Sequence, residues 1–230
     1  MKRLFILLFI TSFSYTLSAQ NLSVPKYGIK VGVNHSSLNF TQYNYLFGGF
    51  VKPANGYAKP IVTSNTGIKG GFFVDIKLTE RWYISPTLSY SQFGAIVELE
   101  RTWNSDTIRT YGNQVETYKM DYVTLDPNFE YRVNDVFSLV IGPSVGYLIS
   151  NNVDKVVTEE GIERTQDALN GEIEEVSEID AGLNLGTSFF ITENFDIDCK
   201  LYIGMMGLES REDGYNKALQ SASISFGYTF

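Results

Sequence analysis

One cysteine, Cys199, and one histidine, His35, are all that this 230-residue chain holds of two residue types on which much protein chemistry depends. A lone cysteine excludes an intrachain disulfide, and none follows the N-terminal leader to carry a lipid anchor. Long apolar runs are also missing. Beyond the first residues no stretch approaches the roughly 18 apolar positions that a membrane-spanning helix needs. Basic residues are outnumbered, 18 against 26 acidic ones. Without Lys2 and Arg3 the balance is 16 to 26, a formal charge of −10 that argues against nucleic acid as a partner. Nothing in the composition suggests a linker between two separate cores, so one domain is expected.

What is present begins with an export leader. Met1, Lys2 and Arg3 precede an apolar stretch from Leu4 to Ile10 and then small and polar residues up to Ala19, the three-part pattern of a secretory signal. Residues 1–19 are therefore set apart from the fold, with cleavage after Ala19 or one residue before it. Residues 20–230 form the expected domain.

Within that domain the dominant signal is a period of two. Successive strand side chains face opposite sides, and a membrane barrel needs apolar groups outside and polar ones inside. Ala222, Ile224, Phe226, Tyr228 and Phe230 alternate with Ser221, Ser223, Ser225, Gly227 and Thr229. The same alternation runs through Phe195–Met205, Ile179–Ile191, with Phe190 as an inward exception, and Phe137–Tyr147, where Pro143 cannot donate to a ladder. Tyr27–Asn34, Ile68–Leu78, Trp82–Gly94 and Tyr118–Arg132 bring the count to eight strands. In the last of these the apolar phase shifts near Tyr122 and Val123, which predicts a β-bulge. Short connections at Thr79–Arg81, Asn134–Asp135 and Thr192–Asn194 alternate with long ones at His35–Gly67, Ala95–Thr117, Ser150–Ser177 and Leu208–Ala218. This is the pattern of an eight-stranded antiparallel transmembrane β-barrel with short periplasmic turns and long extracellular loops, in the outer membrane of a Gram-negative cell. A soluble sandwich or lipocalin-like barrel is the structural rival, and its apolar face would point inward.

The stretches YGIKVGVN from Tyr27, GIKGGFFVDIKLTERWYISPTLSYSQFG from Gly67, FSLVIGPSVGYLIS from Phe137 and the terminal SISFGYTF resemble the PorT-like family of small outer-membrane β-barrel proteins of Bacteroidetes. The resemblance spans most of the chain outside the long connections. It implies a barrel fold and, through Phe226, Tyr228 and Phe230, a C-terminal signal read by the barrel-assembly machinery. The family's founding member is implicated in secretion, but no catalytic or binding motif accompanies the resemblance here.

If the faces are assigned correctly, the lumen receives Lys30, Lys69, Lys77, Arg132 and Lys200 with Asp75, Asp126, Glu130, Asp180, Asp196 and Asp198. An eight-stranded barrel is only about wide enough for side chains, so these groups are expected to pair and plug it, with an ion or proton path as the alternative. His35, followed by Ser36 and Ser37, sits where the first strand meets the outer rim. That position suits an exposed residue or, as the rival reading, the base of a rim enzyme acting on lipid A or peptides. Asp154, Glu159, Glu160, Glu163, Asp167, Glu172, Glu174, Glu175 and Glu178 crowd the third long connection against Lys155 and Arg164, a solvated acidic loop whose spacing is not that of an EF-hand. The aromatic stretch from Phe40 to Tyr57 suits contact with a partner or packing on the rim. Cys199 falls on the lipid face as a small apolar residue. The sequence thus predicts a barrel with no catalytic, cofactor or metal site, whose partners are outer-membrane lipid, the barrel-assembly machinery and an extracellular or envelope protein. A narrow channel is the remaining alternative.

Overall fold

In the computed structural model, residues 24–42, 61–104, 109–159, 162–165, 177–207 and 215–230 are described, and every regular element among them is a strand. The expected leader Met1–Ala19, most of the aromatic stretch Phe40–Tyr57 and the middle of the acidic connection lie outside the described residues. The strands are β1 (Lys26–Gln42), β2 (Ile61–Lys77), β3 (Trp82–Asn104), β4 (Arg109–Arg132), β5 (Phe137–Glu159), β6 (Ile162–Thr165), β7 (Ile179–Phe190), β8 (Phe195–Gly207) and β9 (Tyr215–Thr229). Each pairs antiparallel with its neighbours in the order β4-β3-β2-β1-β9-β8-β7-β5, and a β4–β5 pairing closes the ring. Eight strands form the barrel. The short β6 adds to β5 beyond it, pairing Val156–Glu159.

The three tight turns share one device. Thr79 Oγ1 accepts from the backbone N–H groups of Arg81 and Trp82, Asn134 Oδ1 from Val136 and Phe137, and Thr192 Oγ1 from Asn194 and Phe195. A short oxygen-bearing side chain thus satisfies donors that the turn strips from the ladder. Around the barrel, aromatic pairs gird this end: Trp82 against Tyr131, Phe137 against Phe189 and Phe195 against Tyr228, with ring centroids 4.9–5.2 Å apart.

The outer face above these turns is apolar on every strand. Phe72, Leu125, Ile141, Leu201 and Phe226 all point outward, and Phe72 is 69% exposed. A continuous exposed band of this size excludes water as its surroundings. Toward the other end the outward positions turn polar at His35, Thr66, Gln92, Asp121 and Gln220, which marks the upper limit of the band.

Strand lengths depart from the sequence expectation. β3, β4 and β5 run 23, 24 and 23 residues, so most of the expected Ala95–Thr117 connection is a continuous hairpin, paired without interruption from Trp82 opposite Tyr131 to Asn104 opposite Arg109. β1, β2 and β9 likewise extend into stretches expected to be loop. The expected bulge is displaced as well. β4 keeps its even residues inward throughout, and the extra residue is Ile149 on β5, between the Asp121–Ser150 and Tyr122–Leu148 pairs. Past Ile149 the inward positions of β5 become odd, bringing Val153 inside.

Prolines interrupt the wall on both sides of the β3–β4 hairpin. The β2–β3 ladder skips from Phe73–Thr87 to Ile76–Ile84, level with Pro86, and the β4–β5 ladder skips from Leu125–Val145 to Phe129–Ile141, level with Pro127 and Pro143. At each gap the inward neighbours form a cross-strand hydrogen bond instead. Ser85 Oγ donates to Asp75 Oδ1 at 2.5 Å, and Ser144 Oγ donates to Asp126 Oδ1 at 2.5 Å. Side chains stitch the wall where the backbone cannot. Ser85→Ala is expected to cost about 1.5 kcal/mol, the worth of a hydrogen bond to a charged group, and to speed amide exchange along β2 and β3 while leaving β8 unchanged. Equal acceleration around the whole ring would mean the pair has no local role.

Candidate functional site

The barrel interior has two storeys of opposite character. The lower one, level with the apolar band, is a charged network. Lys30 Nζ donates to Asp198 Oδ2 at 2.6 Å and lies 3.2 Å from Asp196 Oδ2, while Lys200 Nζ reaches the same Asp198 oxygen at 2.9 Å. Ser188 donates to the other oxygen of Asp198. Lys69 pairs with Asp126 at 3.3 Å and Arg132 with Glu130 at 3.0 Å. Neighbouring small residues make this density feasible: a Cβ on Gly28 would meet the Phe73 ring, on which the Lys30 ammonium rests at 4.6 Å, and one on Gly227 would meet the Asp196 carboxylate. At the turn end the Arg132 guanidinium lies between the Tyr83 and Phe190 rings, 3.8 and 4.6 Å from their centroids. The inward Phe190, an exception in the alternation, is one wall of that stack.

The upper storey is apolar. Leu38, Phe93, Ala95, Val97, Tyr118, Met120, Tyr122, Tyr202 and Leu219 form a buried cluster inside the extended strands, with Val62, Leu148 and Val153 packed against it. Outside this level the wall is mixed, with the Gln92–Asp121 hydrogen bond and the Lys119–Asp154 pair at 2.7 Å beside exposed Ile61, Ile149 and Met205. The rule therefore changes along a single strand: apolar out and polar in below, mixed out and apolar in above. Sequence reading had no rule for the upper half, and the in-phase Tyr118, Met120 and Tyr122 looked like a slipped register.

Two small cavities, one beneath the apolar cluster and one within the charged network, each have about 10 Å³ open to the centre of a water molecule, room for about one water. One is bounded by Phe93, Tyr122, Asp180, Asn184, Tyr202 and Lys69, the other by Lys30, Lys69, Thr87, Asp126, Asp198 and Lys200. Around these cavities the described inward side chains pack against one another.

His35 stands at the upper limit of the band and faces outward, its Nδ1 3.1 Å from Thr66 Oγ1. Ser36 points the opposite way, buried, with its Oγ donating to the Gly94 carbonyl at 2.9 Å. The structure separates the histidine from its adjacent serine by the thickness of the wall. In the acidic connection Asp154 is held by Lys119, and Tyr147 OH lies 3.5 Å from Glu178. Among the described residues no group of three or more His, Cys, Asp or Glu side chains is placed to hold a metal ion. Cys199 sits outward between Thr187 and Ile224.

Residues 19–209 match the family described as outer membrane protein beta-barrel domain. No curated protein matches the chain. Among solved structures the chain is similar to Ail, the attachment invasion locus protein of Yersinia pestis, with 14% identity over 89% of this chain and 98% of that one and a TM-score of 0.37. It is also similar to Neisserial surface protein A, with 9% identity over 92% and 100% and a TM-score of 0.39. OprG from Pseudomonas aeruginosa aligns with 12% identity over 89% and 95%, at a TM-score of 0.38.

Proposed function

The chain belongs to the outer membrane protein β-barrel family, and from that premise we propose that it is a non-catalytic barrel whose projecting β3–β5 sheet binds an extracellular or envelope protein. The observation that carries this reading is the length of those strands. Past the apolar band they continue for about a dozen residues, on the order of 40 Å measured along the strand, and an apolar core packs inside the first part of this extension, up to Val97, Tyr118 and Val153. A preformed surface loses little entropy on binding, which is what a stable docking platform needs. The filled interior supports a binding role over conduction. The outward His35, with Ser36 turned away from it, supports a non-catalytic role, so His35→Ala is expected to leave function intact.

The proposal includes export by residues 1–19, a barrel domain from residue 20 to 230, recognition of Phe226, Tyr228 and Phe230 by the barrel-assembly machinery, and membership of the PorT-like branch. A photo-crosslinking side chain at Glu98, on the outward face of the projecting part of β3, tests the binding role in intact cells. Discrete adducts at Glu98, and none at Glu80 in a tight turn, are expected. Removing residues 98–115 and joining Val97 to Glu116, which face each other across the ladder, with Asn-Gly should abolish partner capture while the shortened barrel keeps its boiling-dependent gel shift. A barrel that forms no adduct from any outward position of β3, β4 or β5, or that shows reproducible conductance in a planar bilayer, sinks the reading.

A further inference from the structure

At the upper limit of the apolar band β2 carries one extra residue. Ser64 lies opposite Ala95 and Lys69 opposite Ser91, five steps on β2 against four on β3. A bulge of this kind re-aims a side chain, and here it is held from both sides. The buried Ser36 hydroxyl accepts the Gly94 N–H at 2.7 Å and donates to the Gly94 carbonyl at 2.9 Å, while Asn65 Oδ1 accepts the Thr66 N–H at 2.8 Å. The outcome is an exposed Thr66 on the outer face beside the exposed His35, whose Nδ1 is 3.1 Å from Thr66 Oγ1. With Nδ1 engaged, Nε2 has no partner among the described residues and can carry a donor away from the wall. Ser37, on the same face two residues along β1, lies opposite the exposed Gln220 of β9. Donor-bearing side chains of β9, β1 and β2 thus share one outward patch.

Charge around the patch is one-sided. Residues 35–42, 61–68 and 215–222 of these three strands contain no aspartate or glutamate and one basic residue, Lys217, whereas β3, β4 and β5 carry Glu98, Asp121 and Asp154 at or above the same level. An anion is repelled along the β3–β5 wall and admitted here. The end of the apolar band is where acyl chains give way to headgroups, and phosphate is the anion of that layer. We propose that the patch binds the phosphate monoester headgroup of an outer-leaflet lipid. In the protonated ring both nitrogens of His35 donate: Nδ1–H to Thr66 Oγ1, which turns the threonine hydroxyl hydrogen toward the ligand, and Nε2–H to the phosphate itself. Ser37 and Gln220 add neutral donors on the β9 side. Bound there, the headgroup fixes the depth of the barrel on one side and leaves the β3–β5 sheet free, so partner capture does not depend on it.

The single histidine makes the test direct. In nanodiscs of phosphatidylcholine doped with phosphatidic acid, solid-state NMR should detect a through-space contact between the labelled ring nitrogen of His35 and the phosphatidic acid phosphorus. No contact, or contact with the phosphatidylcholine phosphorus alone, overturns the proposal. The same contact with inorganic phosphate in nanodiscs lacking phosphatidic acid overturns the assignment to a lipid. Native mass spectrometry of the barrel released from uncharged detergent containing phosphatidic acid supplies the second measure. Retention of the lipid should fall about tenfold in His35→Ala and in Thr66→Val, the worth of one hydrogen bond to a charged group, and stay unchanged in Ser150→Ala, an exposed hydroxyl at the same level on β5. Equal retention in His35→Ala and the unaltered barrel, or an equal loss in Ser150→Ala, also overturns it. All three variants should keep the boiling-dependent gel shift. Adducts from Glu98 should persist in His35→Ala, which reads the partner-binding role separately.

Discussion

Replacing Asp198 by alanine is expected to lower the unfolding free energy of the barrel by about 3–5 kcal/mol, the cost of breaking a buried ion pair from one side. Asp198 is 2% exposed and serves three donors: Lys30, Lys200 and Ser188. Lys30 keeps Asp196 after the change, whereas Lys200 loses the one ion pair it makes among the described residues and stays enclosed between β7 and β9. The loss therefore falls mainly on a stranded ammonium, not on a missing contact. Removing both charges together should cost less, so the double variant Asp198→Leu/Lys200→Met is expected to be more stable than Asp198→Ala. Urea titration of the refolded barrel in lipid vesicles reads both. A double variant less stable than the single one would show that the network stabilises through its hydrogen bonds and not through charge balance.

Leu201→Arg is expected to cost about 2–4 kcal/mol, the penalty for a cation at the bilayer midplane on the outside of a barrel. Leu201 lies in the middle of the apolar band, opposite Leu185 and Ala222, and is 55% exposed. In a barrel surrounded by water the same change on an exposed strand position would be close to neutral. Gln220→Arg provides the depth control. It also faces outward, but at the upper limit of the band, where the penalty falls to about 0–1 kcal/mol. Urea titration in lipid vesicles again measures both, and equal losses at the two positions would contradict the assigned membrane level.

How much of this was legible in the sequence depended on which solvent each strand segment meets. β7 and the lower parts of β5, β8 and β9 lie within the band, so their alternation reads plainly: Ile224, Phe226 and Tyr228 outward, Ser223, Ser225 and Gly227 inward. The tight turns were equally plain, because Thr79, Asn134 and Thr192 carry turn chemistry in their side chains. Above the band, water lies outside the wall, and Phe93, Ala95, Val97, Tyr118 and Met120 must turn inward as they would in a soluble sheet. A single period-two rule cannot cover both regimes. Applied through the crossing it turns an unbroken strand into a loop and a continuous β4 into a slipped one. The charged residues of the lumen were legible as a set, but their partners were not, since Lys30 and Asp198 lie 168 positions apart and meet through barrel closure. The same holds for Pro86, Pro127 and Pro143, which register alone brings to one level.

That proline level has a mechanical side. The β3–β4 hairpin is one unbroken ribbon from Trp82 and Tyr131 to Asn104 and Arg109, a stiff beam, and near its lower end two serine–aspartate pairs stand where the backbone rungs to β2 and β5 are interrupted. A pull on its upper end is shared first among the backbone rungs to β2 and β5 that lie above those two bearings. Under load the hairpin should part from β2 and β5 from the upper end downward, with least resistance at the proline level, while the arc from β7 through β9 to β1 still holds its shape.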